Sequence, residues 1–387
     1  MKRVVPFLAC LLLPWTLLAQ DDHFTATTQR EVPAVAQANI SSGNDDGSSA
    51  KPGTRIDVDL NAAQQPNAKP NSSSTPRGES TPKIPGSMVG YIDDPIVGSQ
   101  IRIRFDDAFD DAFPDRSEFF YAKCGCYRGL PPANLALDPK APGPGGGVPS
   151  AVNYQQLYMN GEYAPIRRFS VFVEVPIRFL QPQGTPRAFS NQSGIGDVQA
   201  GFKLAAVATD HTYLTFQFRS YSPSGDARRG LGTNHYSIEP SILLYHSLTS
   251  KFVIEGQVGD WHPIGGSSGV PVGNSEGFAG DVFMYGLGPS YKLYSGSHFG
   301  LVPVVELFGW HVVSGFQTQI GGVNAPNNGT AVGGVSAEVG GINIVNLKVG
   351  LRANFGFHNS VYLGFGQALT HDDWYKHIVR VEYRYAF

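Results

Sequence analysis

The chain has 387 residues, of which 16% are charged and 12% aromatic, and its formal net charge is −3. That balance excludes a nucleic-acid partner held by phosphate attraction. Mean hydropathy is −0.15, the value of a water-soluble protein, but strands that alternate between lipid and a wet lumen average to the same figure.

Met1-Lys2-Arg3 is followed by an apolar run from Val4 to Ala19, broken only by Pro6, Cys10, Pro14 and Thr16, and then by Gln20-Asp21-Asp22. A short basic head, an apolar middle and a small residue before a polar stretch predict a secretory signal peptide over residues 1–19. The run is short for a helical membrane span. Residues 20–87 are rich in Ser, Pro, Asn and Gly, with Phe24 as their only aromatic residue. Such a segment buries too little apolar area to offset chain entropy, so it reads as a disordered arm.

From residue 88 the texture changes to alternating strands. Ile101, Ile103 and Phe105 alternate with Arg102, Arg104 and Asp106. Phe169 to Phe179 alternates apolar residues with Ser170, Glu174 and Arg178, and Leu214, Phe216 and Phe218 oppose Thr215, Gln217 and Arg219. Val345, Leu347, Val349 and Leu351 oppose Asn346, Lys348 and Arg352. Further candidates are 115–123, 152–160, 234–247, 251–262, 279–293, 298–312 and 359–369. Short turns such as 209–210 and 248–250 alternate with long polar connections such as 124–150, 222–234 and 313–340. This asymmetry is that of an outer-membrane barrel; a soluble sandwich shows the same alternation without a reason to keep its long loops at one end.

Cys124-Gly125-Cys126 heads one long connection. Zinc needs about four ligands, and no second Cys or His cluster accompanies the pair. A disulfide across one glycine is strained, so a loop clip and a plain pair of thiols both stay open. No metal and no cofactor are indicated.

Gly194-Ile195-Gly196-Asp197-Val198-Gln199-Ala200-Gly201-Phe202-Lys203 opens a strand. A nucleotide fingerprint needs a helix to follow, and none does. The segment resembles the Gly-x-Gly-Asp…Gly-x-Lys start of a middle strand in the outer-membrane transporter family named for the meta-pathway of phenol degradation. The resemblance covers about residues 160–387 and implies a barrel that takes up aromatic or other small apolar compounds. The polar arm departs from the family pattern. Asp197 and Lys203 share the lumen-facing parity, and a wall ion pair between them is expected.

His235 and Ser237 point to one strand face, with Glu239 on the same face. Serine, base and carboxylate form a minimal nucleophile arrangement. The His-x-Ser resembles that of outer-membrane lipid A deacylases, which are smaller, carry it near the chain's end and follow it with Asn where Ile238 stands here.

Val379, Val381, Tyr383, Tyr385 and Phe387 share one face of the last strand, and Arg380, Glu382 and Arg384 the other. An aromatic-x-Phe ending resembles the assembly signal of bacterial outer-membrane barrels, carried here by Tyr383, Tyr385 and Phe387.

The expected fold is therefore an all-β antiparallel transmembrane barrel over 88–387, with twelve strands and fourteen the next choice. Its lumen-lining candidates are Arg102, Arg104, Glu174, Arg178, Asp197, Lys203, Arg219, Lys348, Arg352, Arg380, Glu382 and Arg384, with Asp106 and Glu255 among the acids. Basic residues outnumber acids there, which favours anionic or polarizable solutes. The expected function is passive passage of small solutes through the outer membrane of a diderm bacterium, without catalysis. Expected partners are outer-membrane lipids, the barrel-assembly machinery and a small-molecule solute. A structural barrel whose arm binds periplasmic partners or cell wall is the second reading, and a lipid A-modifying enzyme the third.

Overall fold

A strand in lipid must hydrogen-bond every backbone group to a neighbour, which only a closed ladder achieves. The computed structural model describes residues 86–122, 151–183, 191–264, 277–319 and 335–387. The signal peptide, the arm up to residue 85, and Cys124 and Cys126 lie outside the described residues. In chain order the strands are β1 (Gln100–Asp111), β2 (Ala151–Ile166), β3 (Phe169–Gln183), β4 (Gln192–Ile195), β5 (Gln199–Ala208) and β6 (Thr212–Tyr221). They continue as β7 (Tyr236–Ser247), β8 (Phe252–Ile264), β9 (Val282–Tyr291), β10 (Tyr294–Ser295) and β11 (Phe299–Val312). The last are β12 (Phe316–Gln319), β13 (Val335–Glu338), β14 (Asn343–Phe355), β15 (Asn359–Ala368) and β16 (His377–Ala386).

Twelve of these form a closed antiparallel barrel in the order β1-β2-β3-β5-β6-β7-β8-β9-β11-β14-β15-β16. The seam joins the first strand to the last, with Gln100 opposite Ala386 and Arg104 opposite Glu382. β4 is a short addition to the upper part of β3, and β12 and β13 pair as a separate hairpin. Of the segment 115–123, expected as a strand, the described residues 115–122 form instead a turn, with Arg116–Glu118 a 3-10 helix. The rings of Phe119 and Phe120 pack inward from this loop.

The faces are sorted opposite to those of a soluble sheet. Along β16, Val379, Val381, Tyr383 and Tyr385 are exposed, and Ile378, Arg380, Glu382 and Arg384 are buried. In β1, Ile101, Ile103 and Phe105 are exposed while Arg102 and Asp106 are buried. Charge inside and aliphatics outside cost free energy in water and suit lipid, which removes the soluble sandwich. The tight connections 167–168, 209–211, 248–251, 292–298 and 356–358 all lie at one end, where Gln100 and Ala386 also meet. The long connections lie at the other. No helix among the described residues is long and apolar enough to cross a membrane.

Leu363 is 57% exposed at the middle of β15. Leu363→Arg is expected to lower barrel stability by about 2–4 kcal/mol, read as denaturant unfolding in phospholipid vesicles. An unchanged midpoint would mean that this face does not meet hydrocarbon.

Candidate functional site inside the barrel

Residues 86–99, which precede β1, enter the barrel from the short-turn end and fold back within it. Ser87, with Gly86 assigned by composition to the arm, is buried here; its carbonyl accepts from Arg384 Nη1 at 3.2 Å. Glu306 of β11 receives the backbone N–H groups of Gly90, Tyr91 and Ile92 at 3.0, 2.8 and 2.9 Å, and the Tyr362 hydroxyl at 3.0 Å. The Met88 N–H donates to Glu255 at 2.8 Å. Arg352 donates to the carbonyls of Met88 and Val89 at 2.8 and 2.6 Å, and Arg380 to that of Gly90 at 2.6 Å. A peptide with no ladder of its own thus finds partners on four walls. Gly90 permits the approach: a Cβ there would overlap the Tyr362 ring.

The side chains of this luminal peptide also pair with the wall. Asp93 accepts from Arg219 Nη2 at 2.8 Å, and Asp94 from Arg384 Nη1 at 2.9 Å. Elsewhere on the inner face, Arg380 holds Asp106 through two bonds of 2.6 Å. Glu174 lies between Arg102 at 2.9 Å and Arg104 at 3.3 Å. Glu382 receives Arg352 and Arg384, each at 3.0 Å. Bidentate and shared guanidinium–carboxylate contacts of this kind are strong because both partners are charged and fixed.

From the long-loop end, residues 112–122 fold inward. Ser117 and Glu118 adopt left-handed φ values of 52° and 50°, a strained state for residues with a Cβ. The turn is held by Ser117 Oγ donating to Ser314 O at 2.7 Å and by Arg116, fully buried, donating to Gln317 at 2.6 Å. It delivers Phe119 onto Trp374, stacked at 4.7 Å, and Phe120 against Tyr154 at 4.6 Å. Between these rings and the luminal peptide lies a cavity of about 210 Å³ lined by Tyr91, Phe120, Tyr158, Trp310, Arg178 and Lys348 among others. Of the sequence-predicted residues, Arg104, Glu174, Arg178, Arg219, Lys348 and Arg380 line it. Arg102, Arg352, Glu382 and Arg384 are buried nearer the short-turn end and engage the peptide or one another.

Two expected pairings are replaced. Asp197 does not meet Lys203: it accepts from Gly225 N, Thr233 N and Thr233 Oγ1 at 3.0, 2.7 and 2.9 Å, and so ties down the loop before β7. Lys203 pairs with Glu162 at 2.9 Å. Shared parity placed the two on one face but not at one height. His235 and Ser237 do share a hydrogen bond, Oγ to Nδ1, at 3.1 Å. Glu239 does not orient the imidazole, because it bonds Arg219, Tyr221 and Ser241. The carboxylate nearest the ring is Glu118, 3.9 Å from Nε2 and beyond hydrogen-bond reach. Burial pushes the His235 imidazole below its ordinary pKa.

Sequence spacing also concealed a cluster of Asp260, His262 and Asp281, whose ligand atoms lie within 4.8 Å of one another. His262 Nδ1 and Asp281 Oδ1 are 2.5 Å apart, and that hydrogen bond accounts for their proximity. Residues 86–94, Glu306 and Tyr362 were missed as site residues. The available signal was Asp93-Asp94, two acids without alternation just before a strand rich in arginine.

A family model described as "Putative MetA-pathway of phenol degradation" matches residues 156–259, from β2 into β8 and across the Gly194–Lys203 motif. Over those residues the barrel resembles that family. No curated protein matches it. Among solved structures, the barrel is similar to an outer membrane channel from Pseudomonas putida F1, at 14% identity over 75% of this chain and 96% of that one, with a TM-score of 0.44. It is also similar to the NanC porin, at 8% identity over 75% and 100%, with a TM-score of 0.38. LpxR from Salmonella typhimurium gives 9% identity over 74% and 100%, and a TM-score of 0.38. Each is a likeness of barrel shape alone.

Glu306→Ala removes the acceptor of three buried N–H groups, each costing about 1–3 kcal/mol when left unpaired. Amide exchange at residues 90–92 is expected to accelerate by at least about tenfold while β14 and β15 keep their protection. Unchanged exchange at 90–92 would mean that the peptide is held by something other than this carboxylate.

Proposed function

We propose that the barrel passes small solutes across the outer membrane by diffusion, through a lumen narrowed by the luminal peptide on one side and residues 112–122 on the other. The observation that carries this is the cavity between those two constrictions, polar and aromatic at once, inside a closed wall. Such a chamber orients a solute without binding it too tightly to leave. The match to a family described by phenol degradation supports aromatic compounds among the solutes.

Conductance across planar bilayers tests the proposal. The full chain is expected to give small, discrete steps, and a variant lacking residues 86–97 steps several-fold larger, because the peptide occupies the lower lumen. Neither protein conducting, in preparations that retain heat-modifiable gel mobility, would overturn the transport reading.

Export through the signal peptide at 1–19, and reading of Tyr383, Tyr385 and Phe387 by the barrel-assembly machinery, belong to the same proposal. Tyr383 and Tyr385 face outward on β16, and Phe387 is exposed with its N–H donated to Ser99 O at 3.0 Å. Removal of Phe387 is expected to reduce the fast-migrating, unboiled form in outer-membrane fractions. Unimpaired assembly would show that the terminal aromatic ring is not read.

A further inference from the structure

The cavity is lined by five cations, Arg104, Arg178, Arg219, Lys348 and Arg380, and by four acids, Asp93, Asp106, Glu174 and Glu239. Every acid is already engaged by a guanidinium. Asp106 is held by Arg380, Asp93 and Glu239 by Arg219, and Glu174 by Arg102 and Arg104. Lys348 and Arg178 remain without a carboxylate within 4 Å among the described residues. Glu306 stands opposite Lys348 across the ladder, but it is committed to the luminal peptide and Tyr362.

Both cations face rings instead. Lys348 Nζ lies 3.9 Å from the centroid of Tyr91, 4.9 Å from Phe308 and 5.3 Å from Trp310. Arg178 Cζ lies 4.1 Å from the centroid of Phe120; its Nη1 donates to Phe120 O at 2.8 Å, and its Nε is buried without a hydrogen-bond partner. Ring faces compensate a desolvated cation only in part, whereas a carboxylate compensates it directly. The two side chains are 3% and 8% exposed as residues, so bulk water does not take that role.

We infer that the cavity is a binding site for a small aromatic carboxylate, its anionic group received by one of the two cations without a carboxylate, Lys348 or Arg178, and its ring by the surrounding aromatic side chains. The inference rests on the transport reading above and gives it a substrate class. Size agrees: an apolar cavity of about 150 Å³ accommodates benzene, and this one measures about 210 Å³. Charge sets the preference and the rings set the shape, so a neutral aromatic and a non-aromatic anion each satisfy only half of the site.

Calorimetric titration of the full-length protein in detergent with benzoate, benzyl alcohol and acetate tests this. Benzoate is expected to bind at least about tenfold more tightly than either of the others, as a desolvated charge-assisted contact requires. Lys348→Met or Arg178→Met, whichever removes the receiving cation, is expected to weaken benzoate by about tenfold or more, with benzyl alcohol unaffected, while Lys348→Arg retains most of the affinity. Heat-modifiable mobility identifies variants that fail to fold, and for these the wild-type ranking and Lys348→Arg decide. Benzoate binding no tighter than benzyl alcohol, or unmoved in both folded methionine variants, would overturn the inference. Vesicles that pass small neutral sugars without any benzoate preference would remove the anion site and leave transport standing. Vesicles closed to all solutes would remove transport, and the titration would still judge the site.

Discussion

A guanidinium taken out of water must meet a carboxylate or a carbonyl, and the interior of this barrel is arranged around that requirement. Arginines on β1, β6, β14 and β16 point inward because their neighbours along each strand must point to lipid. Once inside they are too numerous for the acids of their own strands. The chain brings the missing acceptors from outside the barrel wall: Asp93, Asp94 and the carbonyls of Ser87, Met88, Val89 and Gly90. The luminal peptide is therefore the complement of the wall's charge.

The same arrangement explains how one polar lumen contains both rigid and adaptable parts. Near the short turns, Arg352, Arg384 and Glu382 form a closed set with the peptide backbone. Toward the long loops, contacts shift to stacked and edge-on rings such as Phe119 on Trp374 and Trp310 against Trp374. Rings tolerate sliding and exchange of partners in a way that bidentate ion pairs do not. The cavity lies where the two regimes meet.

The barrel was legible in the sequence because a two-residue period over β3, β14 and β16 forces side chains onto alternate faces whatever the tertiary context. The inward direction of Arg102, Arg219, Lys348 and Arg380 followed from the same parity. Parity carries no height, so it paired Asp197 with Lys203, which bond instead to a loop and to Glu162. It also carries no information on segments without a period. Residues 86–94 and 115–122 reach the interior through contacts more than 200 residues away in several cases, and no local pattern encodes those. The excess of predicted wall cations over acids, with the acidic pair Asp93-Asp94 just before β1, was the trace of them.

Glu306, which receives three consecutive amides of the peptide, lies 214 to 216 residues from them. Arg380 and Arg384 are 290 and 297 residues from the carbonyls they bind. Contacts of that separation form only after the long loops between them have been closed. The luminal peptide thus cannot settle until β11, and then β16, are in place. Docking of the peptide is in that sense a record of completion: the segment that precedes the first strand comes to rest only when the last strand has arrived.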